Sequence, residues 1–325
     1  MIMKDQFIPF AELQMLGLSL RFVVRNDIRA ITSLIYEVCE SEGDTATALT
    51  EEDLQNEWEY EGFDPEKDAF VVEDDQGKLA GYAAVYDINS HCELSGDIYV
   101  HPDYDVSQVG KALCFAMQKR AEEHALLATN KGSLMRVVVD NRNQEIKQLF
   151  IQGGYQAARY HWRMEIDLKE APQVQSLPDR LLVIPFNWDQ HAQAVRNARN
   201  AAFAGNWGSH ALDLEEFSYY TKENPEYDAS LWQVAWDGDQ VAGFCINHMR
   251  MGIGWIHILG VIPEWRGMGV GFALLQRSFA EFYRRGTHVI GLGVDAANES
   301  GATRLYERIG MVVISEFVTL EKRFQ

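Results

Sequence analysis

Arg266-Gly267-Met268-Gly269-Val270-Gly271 follows the apolar run Trp255 to Val261 and opens the helical pattern Phe272 to Arg285. A strand, a glycine-rich turn and a helix start, in that order, aim unpaired backbone N–H groups and the positive helix end at one point. A pyrophosphate fits there. Glycine lets the backbone approach closely and take positive φ. Two other phosphate loops fail on the same residues. No Gly-Lys-Ser/Thr follows, as a P-loop needs. The third glycine of the dinucleotide fingerprint falls at Phe272, with no βαβ unit and spaced acidic residue after it.

A second landmark follows downstream in Val294-Asp295-Ala296-Ala297-Asn298-Glu299-Ser300-Gly301-Ala302-Thr303-Arg304-Leu305-Tyr306-Glu307-Arg308-Ile309-Gly310-Met311, which reads as a strand, an Asn turn and a short helix. Together the two stretches resemble the GCN5-related N-acetyltransferase (GNAT) superfamily, whose Arg/Gln-x-x-Gly-x-Gly/Ala loop holds the pyrophosphate of acetyl-coenzyme A. The resemblance implies that Arg266, Gly267, Met268, Gly269, Val270 and Gly271 bind acetyl-CoA, that the Asn298 side chain bonds the pantetheine arm, and that Tyr306 sits beside the coenzyme sulfur. It also implies main-chain N–H groups near Leu259, Gly260 and Val261 that hold the pantetheine amide and polarise the thioester carbonyl, where relatives splay two strands.

The chain carries an internal repeat. Ile98-Tyr99-Val100-His101-Pro102-Asp103-Tyr104 lies against Leu259-Gly260-Val261-Ile262-Pro263-Glu264-Trp265, in the frame that sets Gly110 on Gly271. Upstream, Val72 to Tyr82 pairs with Val234 to Phe244, each a strand, an Asp/Gly turn and a second strand. Downstream, Val139-Asp140 pairs with Val294-Asp295, Asn143 with Asn298 and, after a one-residue slip, Leu149-Phe150 with Leu305-Tyr306. The expected fold class is α/β, a mixed α+β sheet flanked by helices, present as two tandem GNAT-like domains. The expected limits are 18–168 for the first copy, 169–180 for a Pro-bearing linker and 181–325 for the second, with Val312 to Lys322 as the last strands of the second copy. Met1 to Gly17 reads equally as an ordered arm or a loose end.

The copies differ at the chemistry. In the first, the loop is Asp105-Val106-Ser107-Gln108-Val109-Gly110, so a carboxylate replaces the arginine and Val106 and Gln108 replace two glycines. Phe150 stands where the second copy has Tyr306, leaving no hydroxyl to give a proton. The first copy therefore reads as degenerate and non-catalytic, while apolar spacing such as Leu113, Met117 and Ala121 preserves its fold. The chain resembles two-domain acetyltransferases of the mycothiol synthase type, in which the C-terminal copy does the chemistry. Trp255 stands where those proteins carry an acidic base on this strand, so substrate identity does not transfer.

Length and composition bound the rest. At 325 residues two domains are expected. No apolar run reaches the roughly 18 residues of a membrane span, and the start lacks a signal-peptide pattern, so a cytoplasmic protein is expected. The net charge of −19 argues against nucleic acid and anionic membranes as partners. Up to residue 170 acids outnumber bases 31 to 16, and beyond it 17 to 13. The acidic stretch Glu37 to Asp75 reads as a solvated face, or alternatively as a steering surface for cations. Cys39, Cys92, Cys114 and Cys245 are scattered without C-x-x-C or His at ligand spacing. They point to buried thiols and to no metal site. Asn298-Glu299-Ser300 is formally a glycosylation sequon, better explained as the family turn.

Acetyl transfer needs a neutral amine, a polarised carbonyl and a proton for the leaving thiolate. Tyr306 is the candidate acid, its alternative being an aromatic packed under the sheet. Alternation along Trp255 to Val261 sets Trp255, His257 and Leu259 on one face, so His257 is either a base looking into the acceptor channel or a core histidine. Glu264 is a weaker base, and many relatives use none. Acceptor contacts are expected from Trp207, His210, Glu216 and Tyr220 around the break Phe203 to His210, although Phe217 and Tyr220 at helical spacing also suit a core. The expected activity is transfer of acetyl from acetyl-CoA to the primary amine of a small molecule. The rival readings are a non-catalytic acetyl-CoA or metabolite sensor, and an acyltransferase acting on a protein or peptide amine. Oligomeric state is not legible.

Overall fold

A computed structural model describes residues 10–60, 62–128, 132–223, 226–298 and 301–325. The first nine residues of the expected arm, and Glu299 and Ser300 of the Asn turn, lie outside it. In chain order the elements are α1 (Phe10–Met15), β1 (Leu18–Phe22), α2 (Ile28–Ser41), α3 (Glu51–Trp58), α4 (Pro65–Asp68), β2 (Ala69–Asp74), β3 (Leu79–Asn89), β4 (Glu93–Val100), α5 (Val106–Leu127), β5 (Ser133–Asp140), α6 (Gln144–Gln152), β6 (Gln156–Asp167), β7 (Leu182–Val183), α7 (Trp188–Ala202), α8 (Leu214–Thr221), β8 (Gln233–Asp237), β9 (Gln240–Arg250), β10 (Ile253–Val261), α9 (Val270–Arg284), β11 (Val289–Asp295), α10 (Ala302–Arg308) and β12 (Val312–Phe324). They form two compact units, Met1–His161 with Ser315–Gln325, and Trp162–Ile314.

In the first unit β1 to β4 run antiparallel, β5 joins β4 in parallel, and the end of the chain completes the sheet as Phe317–Phe324 pairs antiparallel with Asp140–Ser133. In the second, β7 to β10 run antiparallel, β11 joins β10 in parallel, and β6 lies beside β11. The two plans match strand for strand, as the repeat predicts. The boundaries differ from the expected ones at two strands. From Trp162 on, β6 serves the second unit, and from Ser315 on, β12 serves the first rather than the second. Alternating apolar residues specify that a segment is a strand, not which edge it joins.

Each core follows from helical spacing. On α5, Val109, Leu113, Met117 and Ala121 are fully buried, and on α9, Val270, Leu274, Leu275, Phe279 and Phe282 are as well. Burying each large side chain contributes about 1.5–3 kcal/mol. Glycine lets these helices close on the sheet. A Cβ at Gly243 would lie 3.0 Å from Val270, and one at the equivalent Gly81 would lie 2.7 Å from Val109. The described carboxylates of the acidic stretch are exposed or half-buried, except that Asp44 and Asp68 are buried. Cys39, Cys114 and Cys245 are buried thiols, whereas Cys92 is only half-buried.

Candidate active site

A cleft of about 600 Å³ in the second unit gathers residues from α7, β10, the glycine loop, β11 and α10. Its floor exists because two strands part. The parallel pairing of β10 with β11 covers only Gly254–Ile256 against Ile290–Leu292. Beyond that, Ile258–Val261 and Gly293–Asp295 line opposite walls of the cleft. Peptide groups on the inner edge of β10 therefore face open space instead of a neighbouring strand.

The loop forms one end of the cleft. Gly267 and Gly269 take φ of 75° and 81°, the left-handed region, and Gly269 caps α9 with no side-chain hydrogen bond. The first-turn N–H groups of α9 thus stay open for an anion. No atom lies within 4 Å of where a Cβ on Gly267 or Gly269 would be, so the cradle's surface is bare backbone. Arg266 does not reach across the cleft as a phosphate ligand. Its Nε donates to the Val261 carbonyl at 3.0 Å and its Nη2 to the Ala202 carbonyl at 2.8 Å, so it fixes the loop against the end of α7. Met268 is exposed and outside the cleft lining.

Tyr306 is buried on α10 and lines the cleft. Among the described residues its phenol has no hydrogen-bond partner. Burial, with Cys245 nearby, pushes its pKa well above the usual tyrosine value and keeps it protonated. Asn298, in the turn that Asp295 organises, also lines the cleft.

His257 opens onto the cleft from β10. The β9–β10 register shifts between Ile256 and Ile258, so His257 is the extra residue of a bulge. The expected alternation is corrected there. Ile256 and Leu259 pack on the α9 side of the sheet while Ile258 packs on the α7 side, so Leu259 faces away from His257. The ring is reached by solvent but sits at the bottom of a concavity. Crowding and the Arg250 charge, partly offset by a Tyr220 backbone hydrogen bond, lower its pKa to about 4. It is neutral at physiological pH.

The structure brings Trp207 to the cleft, half-exposed, but not the other expected acceptor residues. His210 pairs loosely with Glu216 at 3.5 Å, and Glu216 also accepts from Asp213 N at 2.9 Å in the capping box of α8. The Tyr220 side chain is exposed, and Phe217 is a core residue. Arg199 and Arg308 line the cleft and were not expected. They lie on helices whose other charges look alike in the sequence, so no local signal marks them.

The acetyltransferase (GNAT) family model matches twice, at residues 31–141 and 192–311. The chain belongs to the GNAT family. It is an acyltransferase by that membership. Mycothiol acetyltransferase of Salinispora arenicola is 30% identical over 260 residues, covering 76% of this chain and 78% of that protein. A GCN5-related N-acetyltransferase from Sphaerobacter thermophilus superposes with a TM-score of 0.79 at 30% identity, covering 94% of this chain and 96% of that one. A tandem GNAT protein from the clavulanic acid biosynthesis pathway, at 14% identity, shares the fold over 94% of this chain and 98% of its own, with a TM-score of 0.71.

The two GNAT units differ sharply at the cradle. In the first, Asp105 caps α5 itself, its Oδ1 accepting from Ser107 N at 2.7 Å. The protein's own carboxylate occupies the helix end that a phosphate would need. Phe150, where the second unit has Tyr306, is buried in the core.

Proposed function

We propose that the chain moves acetyl from acetyl-CoA to the primary amine of a small molecule, and that the second unit alone carries the reaction. The observation that supports this best is the contrast between Gly269, which caps α9 with bare backbone beside an open cleft, and Asp105, which caps α5 with an anion. Residues of the second unit suit acetyl-CoA along the whole cleft. Gly267 to Gly271 offer N–H groups to the pyrophosphate, Arg199 and Arg308 offer positive charge, Asn298 an amide to the pantetheine arm, and Leu259 to Val261 an open strand edge to its amide and the thioester carbonyl.

Attack of the amine nitrogen on the thioester carbonyl carbon forms the C–N bond and breaks the C–S bond. Tyr306 gives its phenolic proton to the departing sulfur, and the proton lost by nitrogen restores the phenol through solvent. With a pKa of about 4, His257 is a hydrogen-bond acceptor for the already neutral amine, not a base able to deprotonate an alkylammonium. A His257 too weak to deprotonate an alkylammonium fits a direct transfer that depends on the free-amine fraction. The mycothiol acetyltransferase relatives favour a small-molecule acceptor over a protein one.

Calorimetric titration with acetyl-CoA tests the reading. One equivalent bound, followed by turnover on a panel of small amines, supports it. Binding without turnover on any amine or peptide moves the sensor reading forward, and two equivalents would refute the single-site assignment.

A further inference from the structure

The first unit contains a cluster that the acetyl-transfer reading does not use. Asp87 and His91 flank the β3–β4 turn, and His124 reaches them from the last turns of α5, 33 residues beyond His91. His91 Nδ1 lies 2.8 Å from His124 Nδ1 and 2.8 Å from Asp87 Oδ2, and His124 Nδ1 lies 3.9 Å from the same oxygen. The three ligand atoms lie within 4 Å of one another, and small side-chain rotations that open the two 2.8 Å sides and shorten the 3.9 Å one bring them to tetrahedral spacing around an ion at about 2 Å.

Hydrogen bonding alone accounts poorly for this contact. His124 is buried, and its Nε2 faces the buried Asp68 carboxylate at 3.6 Å, while Asp68 is held in turn by Arg120 at 2.6 Å. Among the described residues that Nε2 has no hydrogen-bond partner closer than this carboxylate, and with a neutral ring's proton on Nε2 His124 presents a lone pair at Nδ1. His91 Nδ1 can carry one hydrogen at most, and Asp87 as a carboxylate carries none. With His124 in that tautomer the three atoms share one proton at most, whereas a divalent cation would satisfy all three.

The backbone is shaped to present the set. Ser90 and His91 take φ of 42° and 64°, in a turn closed by Cys92 N to Asn89 O at 2.7 Å. Two successive left-handed residues at a hairpin tip ordinarily call for Asn-Gly, and a histidine there is strained by about 1 kcal/mol. A register shift between Asp87 and Asn89 re-aims the strand end, and His91 N locks Asp87 Oδ1 at 2.7 Å, leaving Oδ2 toward the imidazoles. The Ser133 hydroxyl donates to the His91 carbonyl. Asp87 and His124 are nearly buried while His91 is 36% exposed, which gives an ion a way in.

We infer that the first GNAT unit binds a zinc-class divalent transition-metal ion through His91 Nδ1, His124 Nδ1 and Asp87 Oδ2, with Asp68 orienting His124. Three protein ligands leave a position for water, and the ion staples the β3–β4 hairpin to α5. The inference is independent of which unit transfers acetyl. The test treats the full chain with chelator, removes the chelator and titrates Zn²⁺ alone. One equivalent should bind, saturating zinc should raise the unfolding midpoint by several degrees, and Co²⁺ should give the visible absorption of a tetrahedral site. In His91→Gly the metal-free midpoint should rise, because the positive φ is relieved, while the zinc-induced rise and the cobalt spectrum disappear. Asp87→Asn should weaken zinc binding by at least about tenfold. No saturable binding to the wild-type chain, or a zinc-induced rise of equal size in both variants, would overturn the site and leave a hydrogen-bonded histidine pair.

Discussion

The Arg266 Nη2 donates to the carbonyl oxygen of Ala202 at 2.8 Å, so the arginine of the phosphate loop is anchored to the last residue of α7. Its Nε holds the Val261 carbonyl at 3.0 Å. These two bonds need a planar fork, which lysine lacks. Arg266→Lys should raise the KM for acetyl-CoA about tenfold, equivalent to about 1.4 kcal/mol, with a smaller change in kcat. Steady-state kinetics with acetyl-CoA varied at saturating amine check this. A KM unchanged within twofold would mean that the loop holds its shape without the clamp.

Gly269 adopts φ 81° with nothing near the position of a Cβ. Gly269→Asp adds left-handed strain of about 1–2 kcal/mol and places a negative charge where a phosphate must approach the backbone. Acetyl-CoA binding should disappear from calorimetry. Gln108→Asp, the equivalent change beside the already capped α5, should leave both affinity and stoichiometry as they are. Equal loss in the two variants would contradict an active second unit beside an inactive first.

Tyr306→Phe removes a phenol that has no hydrogen-bond partner among the described residues, so stability should change by less than about 0.5 kcal/mol. Turnover should fall about a hundredfold while the Kd for acetyl-CoA stays constant. Because burial drives this phenol's pKa upward, the wild-type rate should show no loss assignable to Tyr306 ionisation near pH 9. Unchanged turnover would remove Tyr306 from the reaction.

The local backbone devices of the cleft were legible in the sequence, and the long-range geometry was not. The glycine loop and the Asn298 and Tyr306 spacing could be read because each is a contiguous device whose residues act within one turn. Comparison of Asp105 with Arg266 exposed the divergence of the copies for the same reason, and the α5 cap at Ser107 adds its physical cause. The bulge at His257 was hidden, since one unpaired residue leaves hydropathy unchanged yet turns Leu259 to the other face. His210 and Glu216 were drawn into the site by residue type, but Glu216 serves the α8 cap. The meeting of Asp87, His91 and His124 depends on where α5 ends against a hairpin, which no sequence spacing states.

Two histidines should govern stability in acid. His257 is lowered to about 4 by the crowding around its solvent-reached ring and by Arg250, and His248 to about 3 by burial, His257 and Arg250. Their rings lie 5.1 Å apart, and among the described residues the buried His248 Nε2 has no hydrogen-bond partner, the Glu226 carboxylate standing 4.0 Å away. Unfolded histidine titrates near about 6.5, so the unfolded chain binds more protons below that pH, and stability rises with pH through this window. Their contribution is complete above about pH 6.5 and declines as pH falls toward the folded values. Thermal midpoints between pH 7 and 4 should drop steeply in the wild type and less steeply in His257→Gln. The acid limb of kcat/KM should follow the amine substrate's own ionisation in both proteins. An acid limb displaced by His257→Gln would mean that the histidine is the base after all.

The end of the chain should matter to the unit that begins it. Residues Phe317 to Phe324 pair with β5, and Val318, Leu320 and Phe324 are buried in the first unit's core. The Ser315 hydroxyl donates to Asp44 at 2.9 Å, and Arg142, which holds Asp140 at 2.6 Å, donates to Ser315 at 3.1 Å. Deleting residues 315–325 exposes the β5 edge and strips three core side chains worth about 1.5–3 kcal/mol each, a large share of a domain's stability. Hydrogen exchange on the truncated chain should show accelerated exchange in β3, β4 and β5, within the first unit, while β9 and α9 of the second exchange more nearly as before. Loss of protection confined to the second unit would mean that the final strand belongs, as its place in the repeat suggests, to the copy that precedes it in the sequence.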